Sequence, residues 1–173
     1  MIVSEEMIAE EKDLDGLSEI QLALRQDAVE QFIRRKTNNC FTVKGICFEG
    51  EAQGAVVSGS HPNIVVGDRV EIHDSDANDG LYDVVAVTEA GTELSEPLFD
   101  GHVKVRLVRY PADVVYGALN LIKWDEQHRD SVGLQAETLS RHTVSYDVNA
   151  DKGGAGYPAS MLGFLKPHVK ARF

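Results

Sequence analysis

The apolar positions follow a helical period near the start of the chain. Between residues 17 and 33 they recur at steps of three and four, with Asp15 just upstream as a candidate N-cap. The pattern predicts an amphipathic helix whose buried face carries Leu17, Ile20, Leu24, Ala28 and Phe32. We expect a shorter helix before it, because Ser4 followed by two glutamates is typical of a helix start.

From about Phe41 the apolar period changes to two, and short β-type runs are separated by Gly, Pro, Asn and Asp. The runs are Phe41–Phe48, Ala55–Val57, Ile64–Ile72, Leu81–Val87 and His102–Val108. Their spacing predicts a small antiparallel barrel.

The helical period returns after Pro111, which is expected to open a second long helix. The apolar face predicted for this helix consists of Val114, Val115, Ala118, Leu121 and Ile122. A further helix is predicted from Pro158 through Leu165, and Pro167 is expected to limit or kink it.

The order of helix, strands and helix predicts an α+β fold, in which a small helical framework carries an inserted antiparallel β-barrel-like module. Residues 1–40 are assigned to the N-terminal helical part of the framework and residues 41–110 to the inserted β module. Residues 111–173 are assigned to the C-terminal part, with a helix, an extended hairpin and a terminal helix or tail.

The charge balance narrows the function classes. Lys and Arg number 17 against 28 Asp and Glu, and the net charge of -11 argues against a protein whose main task is to grip a phosphate backbone. The apolar runs are short and the first residues lack a basic start, so we expect a soluble protein made in the cytoplasm, with no membrane partner. Cys40 and Cys47 have no ligand-spaced partner and are expected to be reduced thiols.

The acidic stretch from Glu71 to Gly80 is the one candidate for a calcium loop. Counting Asp74 as the first position of an EF-hand places Asp79 where glycine is needed and Val85 where the bidentate glutamate is needed. The alternating flanks instead predict a hairpin turn, so no metal ligand is assigned. Weak adventitious cation binding by the exposed carboxylates stays as the lesser alternative.

Catalytic motifs are not evident in the sequence. The histidines are scattered singly: His61, His73, His102, His128, His142 and His168. No serine elbow, P-loop or dinucleotide loop occurs, and Tyr116 and Trp124, two helical turns apart, are interpreted as a core or interface stripe. We therefore expect no enzyme, no catalytic residue and no cofactor.

The C-terminal third carries three short segments in a characteristic order. They are Glu137-Thr138-Leu139-Ser140-Arg141-His142-Thr143-Val144-Ser145-Tyr146, then Gly156-Tyr157-Pro158-Ala159-Ser160, then Phe164-Leu165-Lys166-Pro167-His168-Val169-Lys170-Ala171-Arg172-Phe173. In order and spacing this region resembles the tail of the head-completion proteins of long-tailed bacteriophages, which are also called head-tail connectors or adaptors. The resemblance covers about half of the chain, and residues 41–110 are longer than compact members of that family need.

The resemblance implies a structural virion protein without catalysis. Members assemble, commonly as twelve copies, into a ring beneath the portal protein that extends the DNA channel and joins head to tail. The implied partners are further copies of the chain, the portal protein and a tail-side completion or stopper protein, while DNA passes through the lumen without specific binding. The implied location is the head–tail interface of the virion, after assembly in the host cytoplasm.

Residues of the C-terminal third are the candidate subunit or partner interface. The set is Leu139, Val144, Tyr146, Tyr157, Phe164, Leu165, Lys166, Lys170, Arg172 and Phe173. Residues 134–146 are weakly apolar for an independent hairpin and are predicted to pair with another chain, while the basic tail is predicted to dock on an acidic partner. The alternative is an ordinary internal hairpin followed by a terminal helix packed on its own core.

A second function class is a small β-barrel module that binds nucleic acid or a ligand on a helical scaffold. Charge disfavours this alternative. Residues 41–110 contain five cations, Lys44, Arg69, Lys104, Arg106 and Arg109. The same segment contains twelve acids, Glu49, Glu51, Asp68, Glu71, Asp74, Asp76, Asp79, Asp83, Glu89, Glu93, Glu96 and Asp100.

Overall fold

The computed structural model describes residues 1–14, 16–128, 136–139, 142–145 and 156–171, with only the backbone described for 136–139 and 142–145. Helices occur together with an antiparallel sheet, so the predicted α+β class is confirmed. The chain divides into two compact units. The helical unit comprises Met1–Asn39 and Pro111–Phe173, and the β unit comprises Cys40–Tyr110.

The elements alternate along the chain as helices, strands and helices again. They are α1 (Glu5–Ala9), a first 3-10 helix (Lys12–Leu14), α2 (Glu19–Thr37), β1 (Thr42–Val57), β2 (Arg69–Ile72), β3 (Gly80–Thr88), β4 (Gly91–Val108), α3 (Ala112–His128), β5 (Ala136–Leu139), β6 (His142–Ser145) and a terminal 3-10 helix (Ala159–His168). β5 and β6 pair with each other in a separate antiparallel two-stranded sheet.

Helix α2 begins at a capping box. The Ser18 hydroxyl accepts from the Gln21 backbone N–H at 3.3 Å, and Gln21 Oε1 accepts from the Ser18 backbone N–H at 3.1 Å. The N-cap is therefore Ser18 and not Asp15 as predicted. The helix ends at Asn38, whose φ of 48° places it in the left-handed region typical of a helix C-terminus.

The predicted buried face of α2 is wrong. Ile20 and Leu24 are 75% and 64% exposed, and Ala28 is exposed as well. The side chains that are buried instead are Gln26, Val29, Glu30, Ile33 and Thr37. This face is buried because α3 and the first residues of the chain pack with α2, as the Arg25–Glu126 ion pair and the bond from Val3 N–H to Gln26 Oε1 at 3.4 Å illustrate.

Helix α3 follows Pro111 as predicted, and Val114, Ala118, Leu121 and Ile122 are buried while Val115 is half-buried. The terminal helix is a 3-10 helix with Pro167 inside it. Its period of three places the buried Leu162 and Leu165 on one side.

The β unit is a four-stranded antiparallel sheet in the order β1-β4-β2-β3, with an additional pairing between β3 and β4. It is not closed into a barrel, so that part of the prediction is wrong. Strand β4 pairs on one side with β1 and on the other with β2 and β3. Among the described strands β1 has β4 as its sole partner, and this leaves the sheet open.

Two of the strands are longer than predicted. Strand β1 begins at Thr42 and joins the rest of the run predicted at Phe41–Phe48 to the run at Ala55–Val57, and β4 begins at Gly91 instead of His102. Register shifts around Gly54 let β1 bend without leaving the sheet, as β-bulges do. The first half of β4 was missed because it contains Pro97 and the polar Glu93, Ser95 and Glu96, although Leu94 and Leu98 are buried.

The core of the β unit draws on each of its strands. Its buried members are Ala52, Val57, Ile64, Val70, Ile72, Val84, Leu94, Leu98, Val103, Val105 and Leu107. In β2 and in the second half of β4 these residues alternate along the strand, because successive side chains of a strand point to opposite faces.

The acidic stretch joins β2 to β3, which pair antiparallel with Ile72 opposite Gly80, so the predicted hairpin is confirmed. Its connection spans residues 73–79 and is anchored by the buried Asn78. Asn78 Nδ2 donates to the Phe99 carbonyl at 2.9 Å, and Phe99 N–H donates to Asn78 Oδ1 at 2.8 Å. Asp74, Asp76 and Asp79 remain exposed.

Candidate functional site

An open groove of about 510 Å³ lies in the helical unit, between α3 and the terminal 3-10 helix. Its lining residues are Asp113, Tyr116, Gly117, Asn120, Lys123, Trp124 and Gln127 from α3, with Ser160, Met161 and Phe164 from the terminal helix. The α3 members recur at steps of three and four, so they form one face of that helix. The lining combines the aromatic and apolar side chains of Tyr116, Trp124, Met161 and Phe164 with polar ones, among them Asn120 and Lys123 in the middle of the α3 stretch.

The floor of the groove depends on Gly117. A Cβ atom at this position would lie 2.4 Å from the ring atoms of Phe164, closer than real Cβ contacts come. Glycine therefore lets the Phe164 ring lie directly against the α3 backbone. The terminal helix is brought close to α3 at this contact.

One wall of the groove is supported by an aromatic cluster. The Tyr157 ring lies 5.3 Å from the ring of Phe32 and 5.6 Å from that of Trp124, between centroids. Its hydroxyl donates to Asp125 Oδ2 at 3.1 Å, and Trp124 also stacks on His128 at 5.2 Å. These contacts hold the Trp124 side chain, whereas Tyr116 on the same face is 64% exposed.

The charged groups of the groove are engaged by their own chain. His168 Nε2 lies 2.7 Å from Asp113 Oδ2, and this hydrogen bond is the main reason that the pKa of Asp113 is lowered. Lys123 Nζ donates to Glu11 at 2.6 Å and lies 3.7 Å from Asp13. The hydrogen bond to Glu11 is the main cause of the raised pKa of Lys123.

A second apolar surface lies on α2, and we call it the α2 stripe: Ile20, Leu24 and Ala28, which are all exposed. These residues follow one another at steps of four and therefore form a ridge along the helix. Asp27, also exposed, lies beside Leu24 and Ala28 on the same side of the helix.

The structure separates the predicted interface residues into three groups. Tyr157 and Leu165 are buried within their own unit and belong to its core. Phe164 is half-buried in the groove, while Lys166 and Lys170 are exposed. Leu139 and Val144 lie in β5 and β6, where only the backbone is described, and Tyr146, Arg172 and Phe173 lie outside the described residues.

The terminal segment is tied to the end of α2 as far as Ala171. Lys170 N–H donates to the Thr37 carbonyl at 2.8 Å. The side-chain amides of Asn38 and Asn39 donate to the carbonyls of Ala171 and His168, each at 3.2 Å. Up to Ala171 the tail is therefore hydrogen-bonded to the end of α2 in its own chain.

Sequence reasoning missed the α2 stripe as a surface and missed Gly117 and Met161 as groove residues. Tyr116 and Trp124 were interpreted as a core or interface stripe, and both line the groove. A glycine inside an otherwise strong helix was the available signal for Gly117, because glycine costs helix stability relative to alanine and its absent Cβ permits a close contact.

No protein-family model matches the chain, and no curated protein matches it. The described residues contain no cluster of three or more His, Cys, Asp or Glu side chains that could hold a metal ion. Among the described helices, none is both long and apolar enough to cross a membrane.

Proposed function

We propose that this chain is a structural virion protein, a head-completion or adaptor subunit of a long-tailed bacteriophage that forms a ring beneath the portal. One observation carries the proposal: the helical unit presents two unlike apolar surfaces, the raised α2 stripe and the groove floored by Phe164. A subunit of a closed ring needs two such different faces, because it meets the next copy with one and the preceding copy with the other.

The exposure of large apolar side chains supports the proposal that this protein assembles with other chains. Ile20, Leu24 and Tyr116 are each more than half exposed, although burial of such side chains is favourable by about 1.5–3 kcal/mol apiece. Clustered apolar exposure on a compact unit is a mark of protein–protein contact. The resemblance of residues 137–173 to the connector family points to the same class of function by a separate route.

The β5–β6 hairpin supports contact with a further chain. A two-stranded sheet alone is marginally stable in water, and β5 and β6 pair with each other in a sheet of their own. We propose that this hairpin, with Leu139 and Val144, contacts the portal protein or the tail-side completion protein. The net charge of -11 suits a ring through which DNA passes without being held.

The test is electron microscopy and sedimentation of the purified protein, alone and mixed with the portal protein of the same virus. We expect rings with a central channel, free or capping the portal. A protein that remains monomeric and does not bind the portal under either condition contradicts the proposal.

A filter-binding assay at low salt tests the behaviour towards DNA. We expect no retention of duplex DNA, since the acidic surface repels the phosphate backbone. Retention that falls as salt is raised would instead favour the nucleic-acid-binding alternative.

A further inference from the structure

We infer that the exposed ring of Phe99, in the β unit of one copy, docks on the exposed lysines of the terminal segment of the next copy. The inference rests on the proposed function, because it adds a contact between neighbouring subunits of the ring. It names a second copy of this chain as the partner of Phe99.

Phe99 is fixed by its backbone while its side chain remains in solvent. The residue is 71% exposed. Its backbone N–H and carbonyl are both hydrogen-bonded to the side chain of Asn78, which is buried, and the preceding residue Leu98 is buried as well. An aromatic side chain whose backbone is held before binding loses less conformational freedom when a partner arrives. Phe99 is therefore suited to act as an anchor in a protein–protein contact.

The chain around Phe99 is acidic. No Lys or Arg occurs between Arg69 and Lys104 in the sequence. Asp100 follows Phe99 directly, and Asp76 belongs to the β2–β3 connection that holds the Phe99 backbone. Both aspartates are exposed, and neither forms an ion pair within the part of the chain that the structure describes.

Two further acids reach the same connection beside Tyr82. The Tyr82 hydroxyl donates to the Asn78 carbonyl at 2.9 Å. Burial is the main reason that the pKa of Tyr82 is raised, and the carboxylates of Glu96 and Asp79 raise it further, so both acids lie near this ring. Both are exposed. We call the exposed set the acidic tip: Asp76, Asp79, Glu96, Phe99 and Asp100.

The terminal segment has the opposite charge. Residues 152–173 contain no Asp or Glu. Lys166, Val169 and Lys170 are exposed, and we call these three residues the basic end. Asp113 contacts this segment from α3, but its carboxylate is bonded to His168 at 2.7 Å. Among the described residues, neither lysine side chain of the basic end has an acidic partner.

The acidic tip and the basic end are complementary. Each carries an exposed apolar side chain, Phe99 or Val169, among charges of a single sign. Opposite charges around an apolar anchor orient two partners, whereas like charges placed face to face are costly. Two acidic tips therefore repel each other, as do two basic ends. The contact joins unlike surfaces of two copies, as the subunits of a ring require.

Charge reversal tests the contact through the sign of its effect. Asp76→Lys with Asp100→Lys lowers the net negative charge, which by itself would reduce the general repulsion between copies. We expect the opposite result, a several-fold weaker self-association in sedimentation. Adding Lys166→Asp and Lys170→Asp to the same chain should restore it. The matched control is Glu89→Lys with Glu93→Lys, two exposed acids near the β3–β4 turn, which should not weaken association.

Removal of the anchor is a second test. Phe99→Ala should weaken self-association several-fold and leave urea denaturation of the monomer almost unchanged, because the ring is exposed. Val85→Ala, at another exposed apolar position of the β unit, is the control and should have little effect on association. Association of the unchanged protein should also fall as salt is raised, because salt screens exposed charges.

Cross-linking between different chains locates the contact. In a background with Cys40→Ser and Cys47→Ser, one preparation carries Asp100→Cys and a second carries Val169→Cys. We expect a disulfide-linked dimer after mild oxidation of the mixture and little or none in either preparation alone. Glu89→Cys in place of Asp100→Cys should give no mixed dimer.

The outcomes separate this inference from the proposed function. Rings that form without a mixed cross-link, or self-association that Phe99→Ala and the reversal of the acidic tip leave unchanged, overturn the inference and leave the proposed ring. Efficient cross-linking of Asp100→Cys with itself also overturns it, since two acidic tips would then meet. A mixed cross-link from a protein that never forms rings keeps the contact and contradicts the proposed function. A protein that stays monomeric under all conditions contradicts both.

Discussion

The β unit and the helical unit treat their apolar residues differently. In the β unit, buried side chains from each strand meet in one core, and exposed ones such as Val85 and Val87 lie on a strand whose Val84 is buried. A sheet with one solvated face is expected to show this. In the helical unit, apolar side chains are left on a ridge and in a groove. The β unit also leaves Val65, Val66 and Phe99 exposed, so the two units differ in how their exposed apolar side chains are arranged and not in whether they have them.

The largest expected effect contrasts two apolar residues of α2. Ile33→Ala, at a fully buried position, should lower the free energy of unfolding by about 2–5 kcal/mol, because it leaves a cavity. Leu24→Ala on the stripe should change it by less than about 0.5 kcal/mol in the monomer. Urea denaturation at low protein concentration measures both. An equal loss of unfolding free energy for Ile33→Ala and Leu24→Ala would show that the stripe belongs to the core, which contradicts the exposure described here.

The next contrast concerns the two glycines near the groove. Gly117→Ala should destabilise the helical unit by about 1–3 kcal/mol, since the new methyl group collides with the Phe164 ring. Helix propensity alone would favour alanine by about 1 kcal/mol, so the sign of the effect identifies the cause. Gly163→Ala, whose Cβ would meet nothing within 4 Å, is the matched control. Thermal denaturation of the two variants measures the difference.

The corresponding change in the β unit is Asn78→Ala. This substitution removes both hydrogen bonds to the Phe99 backbone at a buried position. It should lower the free energy of unfolding by about 1–3 kcal/mol. Asp76 in the same connection is exposed, so Asp76→Ala should change the free energy of unfolding by less than about 0.5 kcal/mol. If the two variants unfold alike, the loop is held by contacts other than those of Asn78 with the Phe99 backbone.

The smallest expected effect is a pH dependence at the rim of the groove. His168→Phe removes the main hydrogen bond that lowers the pKa of Asp113, so this pKa should rise towards the ordinary value of 3.8. A carboxyl group with a lowered pKa adds stability above its unfolded pKa and loses it as the pH falls through the folded value. The difference in melting temperature between the two proteins should therefore shrink below about pH 4.

Carboxyl NMR titration measures the Asp113 pKa directly. The counterpart in the β unit is Glu49, whose pKa is lowered chiefly by its hydrogen bond to Lys104, so Lys104→Met should raise it. His168→Phe should raise the pKa of Asp113 and leave that of Glu49 unchanged, and Lys104→Met should do the reverse. A shift of both groups by either substitution would show that the pKa values respond to something broader than the local hydrogen bond.

Strand alternation made much of the β unit predictable, including β3 and the second half of β4, whereas only the last four residues of the run predicted at Ile64–Ile72 form a strand, β2. The barrel was not predictable in the same way, because closure depends on which strand edges meet, and alternation within a strand says nothing about its neighbours. The lengths of β1 and β4 were missed for a related reason. Gly54 and Pro97 read as breaks in the sequence, whereas the strands run through both positions in the structure.

The candidate site was predictable only in parts. The two-turn spacing of Tyr116 and Trp124 marked one face of α3, and Phe164 was named as an interface residue. Their convergence in one groove depends on the contact of Phe164 with Gly117, residues 47 positions apart. No local pattern encodes a contact at that distance.

The sequence by itself determined the period of each segment, the α+β class and the acidic charge, since these depend on neighbouring residues and on composition. Only the tertiary structure decided which side of α2 is buried. The helix has apolar residues on two sides, at Ile20 and Leu24 and at Val29 and Ile33, and its period is the same for both. The second side is covered, together with the polar Gln26 and Glu30, because α3 and the first residues of the chain reach that side. Burial depends on what packs against a surface, and this is a property of the fold as a whole.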